Sequence, residues 1–349
     1  MARLAVVLFN LGGPDGPEAV QPFLFNLFND PAIIGLPTPL RWLVAKLISR
    51  RRAPVARAIY ERIGGRSPLL DLTRKQAEAL EAAVGGEVKA FIAMRYWHPM
   101  TAEAAAAVKD WRPDRVILLP LYPQFSTTTT GSSMTAWVAA ARDAGLSVPT
   151  TTVCCYATQE GFVAAQARLI ASALAEAGVH GRPRVLFSAH GLPKKVIAGG
   201  DPYQWQVERT AAAVVAALGE GDLDWTVCYQ SRVGPLEWIG PSTEDEIRRA
   251  GGDGVPLVVV PIAFVSEHSE TLVELDIEYR EMAHAAGVPG FVRIPAVGTA
   301  PEFIAGLADM VRRAAAQPSQ TVASGGGESC PAEWGKCPRR GGADDRVVG

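Results

Sequence analysis

The stretch Leu257-Val-Val-Val-Pro-Ile-Ala-Phe264 determines the fold class, because none of its side chains is polar. A strand with one solvated face alternates apolar and polar residues, whereas a strand buried on both faces is apolar throughout. The stretch therefore predicts a strand, at Leu257–Val265, in a parallel sheet that helices cover on both faces. Six further short apolar or β-branched runs predict more strands: Leu4–Asn10, Val88–Met94, Val116–Leu121, Val148–Tyr156, Val185–Ser188 and Trp225–Tyr229.

Longer stretches with helical periodicity lie between these runs. They are Leu70–Ala83, Ala102–Trp111, Gly161–Ala177, Gln206–Leu218 and Ala300–Ala315. Strands that alternate with helices are typical of an α/β fold with parallel sheets. We predict one such domain at residues 1–145 and a second at residues 146–316, followed by a loosely ordered tail at residues 317–349 that contains Gly, Ser and Cys.

The composition favours a folded cytoplasmic protein. The 349 residues are 48% hydrophobic and 20% charged, which is enough apolar material for real cores. The formal net charge of -2 gives no electrostatic footprint for nucleic acid, so we expect no nucleic-acid partner. We recognise no secretory leader and no spanning run of about 18 apolar residues. Five cysteines, an odd and sparse set, fit a reduced protein better than a disulfide scaffold.

Ligands of open α/β sheets bind beyond the carboxyl ends of the strands, so the residues that follow each strand are candidates for a site. These segments contain three of the five histidines. The glycine-rich stretch Gly12-Gly-Pro-Asp-Gly16 does not have the G-x-G-x-x-G order of a dinucleotide site. Pro14 also stands where a phosphate-binding turn needs a free backbone N–H, so we expect no nucleotide there.

The segment from Glu267 to Glu278 carries the strongest chemical signal. Glu270, Glu274 and Glu278 are four residues apart, so on a helix they form one column of carboxylates. Like charges at this spacing repel, and no Lys or Arg lies within the segment to relieve them. A solvated acidic face is one interpretation. Because His268 opens the segment directly after a buried strand, a cation site is the other.

His190 follows another predicted strand, between Ser188-Ala189 and Gly191-Leu-Pro193. Such a histidine can be a structural hydrogen-bonding group. With a carboxylate from a facing loop, it could instead bind a borderline divalent metal such as iron, or take protons from nitrogen. Gly191 would let another group approach closely.

Eight blocks of this sequence together resemble the signatures of the ferrochelatase family. They are Leu8-Phe-Asn-Leu-Gly-Gly-Pro14, Arg62-Ile-Gly-Gly-Arg-Ser-Pro68, Arg95-Tyr-Trp-His-Pro99, Tyr122-Pro-Gln-Phe-Ser126, Thr130-Gly-Ser-Ser133, Phe187-Ser-Ala-His-Gly-Leu-Pro193, Gly234-Pro-Leu-Glu-Trp-Ile-Gly-Pro241 and the stretch from Pro261 to Tyr279. They follow the family's order over roughly residues 4–315. The resemblance implies two Rossmann-like domains with a porphyrin cleft between them. It also implies insertion of Fe²⁺, the substrate metal, into protoporphyrin IX to form protohaem.

The resemblance assigns the metal chemistry to the two segments described above. His190 and Glu270 match the family's pair at the metal. His268 and Glu274 match residues on a metal or proton path, with Glu278 further along it. The division of proton and metal roles between His190 and Glu270 stays open.

The resemblance also assigns residues to the porphyrin. Arg52, Tyr60 and Ser67 match positions that hold the propionates, which need such cationic and hydroxyl partners. Without the resemblance, the run at residues 50–52 would be read as a solvated helix end. Three further positions lie near the macrocycle in the family: Trp238, Phe264 and Leu11, the last where the family often has Met.

An aromatic and aliphatic stretch, Phe23–Phe28 and Leu36–Leu43, precedes the basic run. It can be ordinary core helix, or an apolar lip that touches a membrane surface, where apolar and basic residues act together. The second interpretation predicts a cytoplasmic protein that also makes a peripheral contact with the inner face of the membrane.

Some ferrochelatases contain a [2Fe–2S] cluster held by one internal cysteine and by cysteines of the tail. Cys330 and Cys337 lie in the predicted tail, and Cys154-Cys155 lie near the predicted domain boundary. Adjacent strand residues point to opposite faces, so we expect only Cys154 or Cys155 to be a ligand. Such a set would lack a fourth thiolate, and incidental thiols are the alternative.

Two alternatives to protohaem formation stay open. One is a chelatase of the same fold that acts on coproporphyrin, another tetrapyrrole or another metal. The other is a carrier that binds porphyrin or haem without turnover, which would not need His190 opposite an acidic column. The sequence also leaves open whether the protein is a monomer or a homodimer.

Overall fold

The computed structural model describes residues 3–317, 321–322 and 330–339. The strands are β1 (Leu4–Asn10), β2 (Val88–Met94), β3 (Arg115–Pro120), β4 (Thr150–Val153), β5 (Arg184–His190), β6 (Asp224–Gln230), β7 (Leu257–Pro261), β8 (Phe291–Arg293) and β9 (Thr321–Val322). The rest of the predicted tail, at 318–320, 323–329 and 340–349, lies outside the described residues.

Helices fill most of the remaining described chain. The α-helices are α1 (Val20–Phe28), α2 (Thr38–Glu61), α3 (Leu69–Val84), α4 (Thr101–Trp111), α5 (Thr130–Ala144), α6 (Glu160–Ala177), α7 (Lys194–Ala198), α8 (Tyr203–Leu218), α9 (Thr243–Asp253), α10 (Tyr279–Ala285) and α11 (Pro301–Ala316). Two short 3-10 helices lie at Pro17–Ala19 and Gly178–His180, and a π-helix lies at Glu270–Glu278.

The described chain forms two compact units. The first contains residues 3–155, 307–317 and 321–322, and the second contains residues 156–306 and 330–339. Residues 146–155 belong to the first unit because β4 pairs with β3. The end of α11 also belongs there, since Arg115 of β3 donates a hydrogen bond of 3.1 Å to the Ala315 carbonyl. The sequence had placed both segments in the second domain.

The first unit is built on a parallel sheet in the order β2-β1-β3-β4-β9. β1 lies near the middle, and its residues 5–9 are completely buried. Val108 of α4 and Trp137 of α5 pack with Val7 and Leu118 in the core of this unit.

The second unit has a parallel sheet in the order β6-β5-β7-β8. One apolar cluster joins this sheet to α6 and α8, through Ile170 and Val207. Another joins it to α9 and α10, through Ile247 and Ala283. Helices therefore cover both faces, as the continuously apolar run of β7 predicts, and the α/β fold class with two parallel sheets is confirmed.

The strand bounds agree with the sequence at β1 and β2 and differ elsewhere. The predicted run Val148–Tyr156 forms a strand only at Thr150–Val153. The run that begins at Leu257 ends at Pro261, because the chain turns and the Ile262 amide bonds the Val260 carbonyl at 2.9 Å. The strands β8 and β9, with three and two residues, were not predicted.

Residues 160–180 form a helical stretch that is long and apolar enough to cross a membrane by length and composition. No spanning run was predicted from the sequence. The core helix of a soluble protein passes the same test, and α6 buries Phe162, Ile170 and Ala177 completely. This single stretch is therefore weak evidence for a membrane span.

Candidate active site

Three side chains that the sequence singles out come together in the second unit. His190 is the last residue of β5, and Glu270 is the first residue of the π-helix. The His190 Nε2 atom lies 3.8 Å from Glu270 Oε1, and the His268 Nε2 atom lies 3.7 Å from Glu270 Oε2. The carboxylate thus lies between two imidazoles, at distances too long for direct hydrogen bonds.

The hydrogen bond at the other nitrogen of His190 sets the tautomer of this ring. His190 Nδ1 lies 2.7 Å from the Gly191 carbonyl oxygen, which can only accept. Nδ1 therefore carries the hydrogen, and in the neutral ring Nε2 has the free lone pair. That lone pair is on the nitrogen nearest Glu270, where it can bind a cation or take a proton.

The charge on Glu270 is strongly stabilised. Burial raises the pKa of Glu270, but the neighbouring His190 and His268 outweigh this effect and lower the pKa to about 2. Glu270 Oε2 and His268 Nδ1 are buried and have no hydrogen-bond partner among the described residues. Buried polar atoms without partners suit a site that receives a group from outside the chain.

His190 and Glu270 are a pair and not part of a closed cage. Within the described ranges 3–317, 321–322 and 330–339, no three His, Cys, Asp or Glu side chains converge closely enough to hold a metal ion. A neutral imidazole nitrogen and a carboxylate are suitable ligands for a borderline divalent metal.

Glu274 faces different partners. Its carboxylate accepts hydrogen bonds from the Ser231 amide at 2.8 Å, the Ser231 hydroxyl at 2.5 Å, Tyr279 Oη at 3.1 Å and Gln230 Nε2 at 3.3 Å. Burial, followed by the nearby Glu270, raises the pKa of Glu274, while the bonds from Ser231 act to lower it. Ser231 has a φ of 59°, which is unusual for a non-glycine residue.

The three carboxylates of the predicted column therefore differ from the prediction in helix type and in exposure. Glu270 and Glu274 are half-buried, whereas Glu278 is exposed. The segment Glu270–Glu278 is a π-helix, with hydrogen bonds that reach one residue further than in the α-helix assumed from the spacing. Sequence periodicity missed this difference because residues four apart remain near one another in both helices.

Two aromatic side chains lie against His268 and against Gly191, the residue after His190. A Cβ added to Gly191 would lie 3.3 Å from Trp238 Cε3 and 2.9 Å from the Gln230 carbonyl, so only glycine fits this approach. The ring of Phe264 lies 4.6 Å from the ring of His268, centroid to centroid. The Trp238 Nε1 atom is buried without a partner among the described residues.

The residues assigned to the porphyrin in the first unit are only partly together. Tyr60 and Ser67 are buried, and a Cβ added to Gly13 would lie 2.5 Å from Ser67 Oγ and 3.9 Å from Tyr60 Oη. Leu11 packs against the small core that contains Tyr60. Arg52 is exposed on α2, and the structure gives it no ion pair or hydrogen bond with another described residue.

A buried ionic network in the first unit was not predicted. Asp30, whose side chain is 2% exposed, pairs with Arg95 at 2.8 Å and accepts hydrogen bonds from Tyr96 Oη at 2.8 Å and from Ser132 Oγ. Arg95 Nε also donates to Ser132 Oγ at 2.7 Å. Arg95 and Ser132 lie in two of the quoted sequence blocks, but no local pattern pointed to Asp30 as their partner.

Four of the five cysteines form two pairs, one in each unit. In the second unit, Cys330 and Cys337 are buried, and Gln206 Nε2 bonds Cys330 Sγ at 3.3 Å. A hydrogen bond with Cys330 is the largest cause that lowers the pKa of Cys337, to about 5. In the first unit, the sulfurs of Cys154 and Cys155 lie 3.5 Å apart in one apolar cluster. The prediction that these two point to opposite faces is wrong, because β4 ends at Val153 and its pleat does not continue.

Comparisons with known proteins point to one family. Residues 3–315 match the family model described as Ferrochelatase. The chain is similar to the ferrochelatase of Caulobacter vibrioides (strain NA1000 / CB15N), with 59% identity over 346 residues that cover 98% of this chain and 99% of the relative. The ferrochelatase of Phenylobacterium zucineum (strain HLK1) is 55% identical over 345 residues, 97% of this chain and 99% of the relative.

The fold is also similar to a solved structure. The sirohydrochlorin chelatase SirB from Bacillus subtilis subspecies spizizenii, in complex with cobalt, aligns with a TM-score of 0.54 over 90% of this chain and 97% of that one. Its sequence identity is 12%, so this likeness concerns the fold alone.

Proposed function

The chain belongs to the ferrochelatase family, and we propose that it inserts Fe²⁺ into protoporphyrin with release of two protons, His190 and Glu270 acting at the metal. The observation that carries the residue assignment is the Glu270 carboxylate 3.8 Å from His190 Nε2, the ring nitrogen that stays free while Nδ1 bonds the Gly191 carbonyl. Iron is the substrate metal in this reaction and becomes part of the product.

The reaction needs a group that accepts protons and a charge that stabilises the resulting cation. Two pyrrole protons leave the porphyrin as its nitrogens bind the metal. His190 Nε2 has the lone pair to accept one proton, pass it to solvent and then accept the second, while its Nδ1–H stays bonded to the Gly191 carbonyl. Glu270, 3.8 Å away, stabilises the imidazolium that forms, and the same carboxylate attracts the incoming ferrous ion.

The porphyrin is a flat apolar disc with two propionates, so it needs apolar walls and polar partners at one edge. In the second unit, Trp238 lies against Gly191, the residue after His190, and Phe264 lies against His268, so both supply aromatic surface near the site. In the first unit, Tyr60 and Ser67 present hydroxyls near Gly13, and we assign them to a propionate. Arg52 has no partner among the described residues, so its guanidinium is available to the carboxylate of a ligand.

The Soret spectrum of the purified protein tests this function directly. Anaerobic mixing with metal-free protoporphyrin and ferrous iron should convert the free-base spectrum to that of the metal complex at a rate proportional to enzyme. Coproporphyrin in a parallel reaction compares the two substrates. Binding of porphyrin without catalysed conversion would instead identify a carrier and would refute the proposal.

The tail cysteines fit a second role. We assign Cys330 and Cys337 as two ligands of a [2Fe–2S] cluster, because they are hydrogen-bonded to each other and because a pKa of about 5 makes Cys337 a thiolate at neutral pH. Cys154 and Cys155 are the candidates for a further ligand that the sequence offers, but no third His, Cys, Asp or Glu converges with Cys330 and Cys337 among residues 3–317, 321–322 and 330–339. Such a cluster is an electron-transfer or structural group and takes no step in the insertion above.

Anaerobically purified protein should then be coloured and contain about two irons and two acid-labile sulfides per chain. Cys337→Ser should remove the colour, and Cys228→Ser, at a buried cysteine outside both pairs, should not. Single Ser substitutions at 154 and 155 identify the remaining ligand. Colourless wild-type protein after expression with ample iron would exclude the cluster.

An exposed apolar stripe on α2 supports a peripheral membrane contact. Leu40, Leu43 and Leu47 are 54%, 58% and 52% exposed and lie on one side of the helix, at spacings of three and four residues. Lys46 and Arg50 lie on the same helix and can interact with anionic headgroups. We propose that this stripe binds the inner face of the cytoplasmic membrane.

Co-sedimentation with vesicles that contain anionic phospholipid tests this contact. Leu43→Ser with Leu47→Ser should reduce binding at least tenfold, whereas Val179→Ser, another exposed apolar residue outside α2, should not. If the double variant binds vesicles like the wild type but changes from dimer to monomer in sedimentation, the stripe is a homodimer surface instead.

A further inference from the structure

Arg293 joins two carboxylates, one just before the π-helix and one within it. Its side chain is 7% exposed, and it belongs to β8, which is fixed to the sheet by pairing with Val259 of β7. Arg293 Nη1 lies 2.6 Å from Glu267 Oε1, and Nη2 lies 2.9 Å from Asp276 Oδ2. Glu267 precedes the π-helix by three residues, and Asp276 is its seventh residue.

Glu267 extends this connection into the first turn of the π-helix. Its Oε1 also accepts a hydrogen bond of 2.9 Å from the Ala296 amide, and its Oε2 accepts one from Thr271 Oγ1. Thr271 Oγ1 in turn accepts from the His268 amide at 3.0 Å. A continuous set of bonds therefore runs from β8 through Glu267 to the backbone of His268 and to the second residue of the π-helix.

These contacts fit the π-helix and not an α-helix of the same sequence. Thr271 and Asp276 are five residues apart, the span of one π-helical hydrogen bond, so both face the Glu267–Arg293 pair. In an α-helix, five residues correspond to a rotation of about 140° beyond one full turn, which would direct the two side chains to different sides. Isolated π-helical turns are rare, so this segment depends on such tertiary contacts.

We propose that Arg293 is a positioning residue for metal insertion, which clamps the π-helix in the register that holds Glu270 between the imidazoles of His190 and His268. Arg293 forms no ion pair or hydrogen bond with these three residues, so it acts through Glu267, Thr271 and Asp276. The inference rests on the proposed function of the His190–Glu270 pair.

Arg293→Met tests the clamp, and Arg184→Met is its matched control. Arg184 is also buried in the second unit and pairs with two carboxylates, Asp224 and Asp253, each at 2.8 Å. It lies at the first residue of β5, and His190 is the last, about 20 Å away along the strand. Both variants remove a buried arginine from between two acids, but only Arg293→Met loosens the π-helix.

We expect both variants to lose thermal stability to a similar degree. At a temperature well below both melting points, Arg293→Met should lower kcat for iron insertion at least tenfold, while porphyrin affinity, measured by tryptophan quenching, stays within twofold. Arg184→Met should keep kcat within twofold. Arg293→Lys, which can pair with one carboxylate but not clamp both, should have an intermediate kcat. Deuterium exchange at residues 270–278 should accelerate only in the Arg293 variants.

Thr271→Val provides a second route if Arg293→Met does not fold. It keeps the shape of the side chain and removes the hydroxyl that links Glu267 to the His268 amide, so kcat should fall with porphyrin affinity unchanged. A folded Arg293→Met protein with kcat within twofold of the wild type would overturn the clamp. Absence of iron insertion by the wild type would instead refute the proposed function, so the two failures are distinguishable.

Discussion

Replacing Glu270 with Gln removes one negative charge from between two imidazoles and leaves the size of the side chain unchanged. In the proposed reaction His190 becomes an imidazolium, and Glu270 Oε1 lies 3.8 Å from the nitrogen that takes the proton. The variant should therefore bind porphyrin as before but lose the charge that stabilises the protonated intermediate.

The expected loss follows from that distance. At an effective dielectric constant of about 20, two opposite unit charges 3.8 Å apart attract each other by about 4 kcal/mol. The His190 side chain is 39% exposed, and water there weakens the attraction to about 3 kcal/mol. Such a change in the activation free energy lowers kcat by roughly 100-fold to 1000-fold.

Initial rates from the Soret spectrum, at saturating porphyrin and ferrous iron, measure this kcat. The control is Glu278→Gln, which removes the same charge from the exposed end of the same helix. We expect it to keep kcat within twofold and to raise the apparent KM for the metal. If Glu270→Gln loses less than tenfold in kcat, charge on His190 is not stabilised by Glu270 and the mechanism is wrong. Equal, severe losses in both variants would indicate one compact multi-carboxylate site.

Three further variants probe other parts of the molecule. His190→Ala should abolish insertion while porphyrin still quenches tryptophan fluorescence, and near-normal turnover would disprove the assignment. Asp30→Asn leaves the guanidinium of Arg95 without its buried partner, so the free energy of unfolding in urea should fall by about 3 kcal/mol, near the lower end for a broken buried pair. A loss below about 1 kcal/mol would contradict the network's structural role. Burial raises the pKa of Asp276, but its two arginine partners lower it below the usual value. The stability that Asp276 contributes is thus present above the unfolded pKa near 3.9 and is lost as the pH falls through the lower folded pKa. Asp276→Asn should therefore flatten the pH dependence of the unfolding free energy below about pH 4. An unchanged slope would count against the pairing.

The sequence predicted the framework well where one physical signal dominates. β1 and β2 have their predicted bounds because each is a largely apolar run that ends at a polar residue or directly before one. The rule that ligands bind beyond strand ends led to His190 and to the Glu267–Glu278 segment, and the structure brings His190, His268 and Glu270 together. Membership of the ferrochelatase family is confirmed by the comparisons.

Features that depend on distant contacts were not predictable from local patterns. β8 has three residues, all half-buried, which is too short for a periodic signal. The choice between an α-helix and a π-helix at Glu270–Glu278 depends on Arg293, fifteen residues beyond the segment, and on Glu267 before it. Ser231 carries no sequence signal for binding Glu274, because its amide reaches the carboxylate only through a backbone conformation that serine rarely adopts.

The backbone of Ser231 has a consequence for how this protein can be improved or can evolve. A non-glycine residue with a φ of 59° is less stable there than glycine by about 1 kcal/mol, so Ser231→Gly relaxes the chain. The same change deletes the hydroxyl that bonds Glu274 at 2.5 Å. The two effects act in opposite directions on stability, and a hydrogen bond to a charged group contributes about 1.5–3 kcal/mol, so glycine at this position should not stabilise the protein. Replacing a positive-φ residue by glycine, a common route to thermostable variants, should therefore be avoided at position 231.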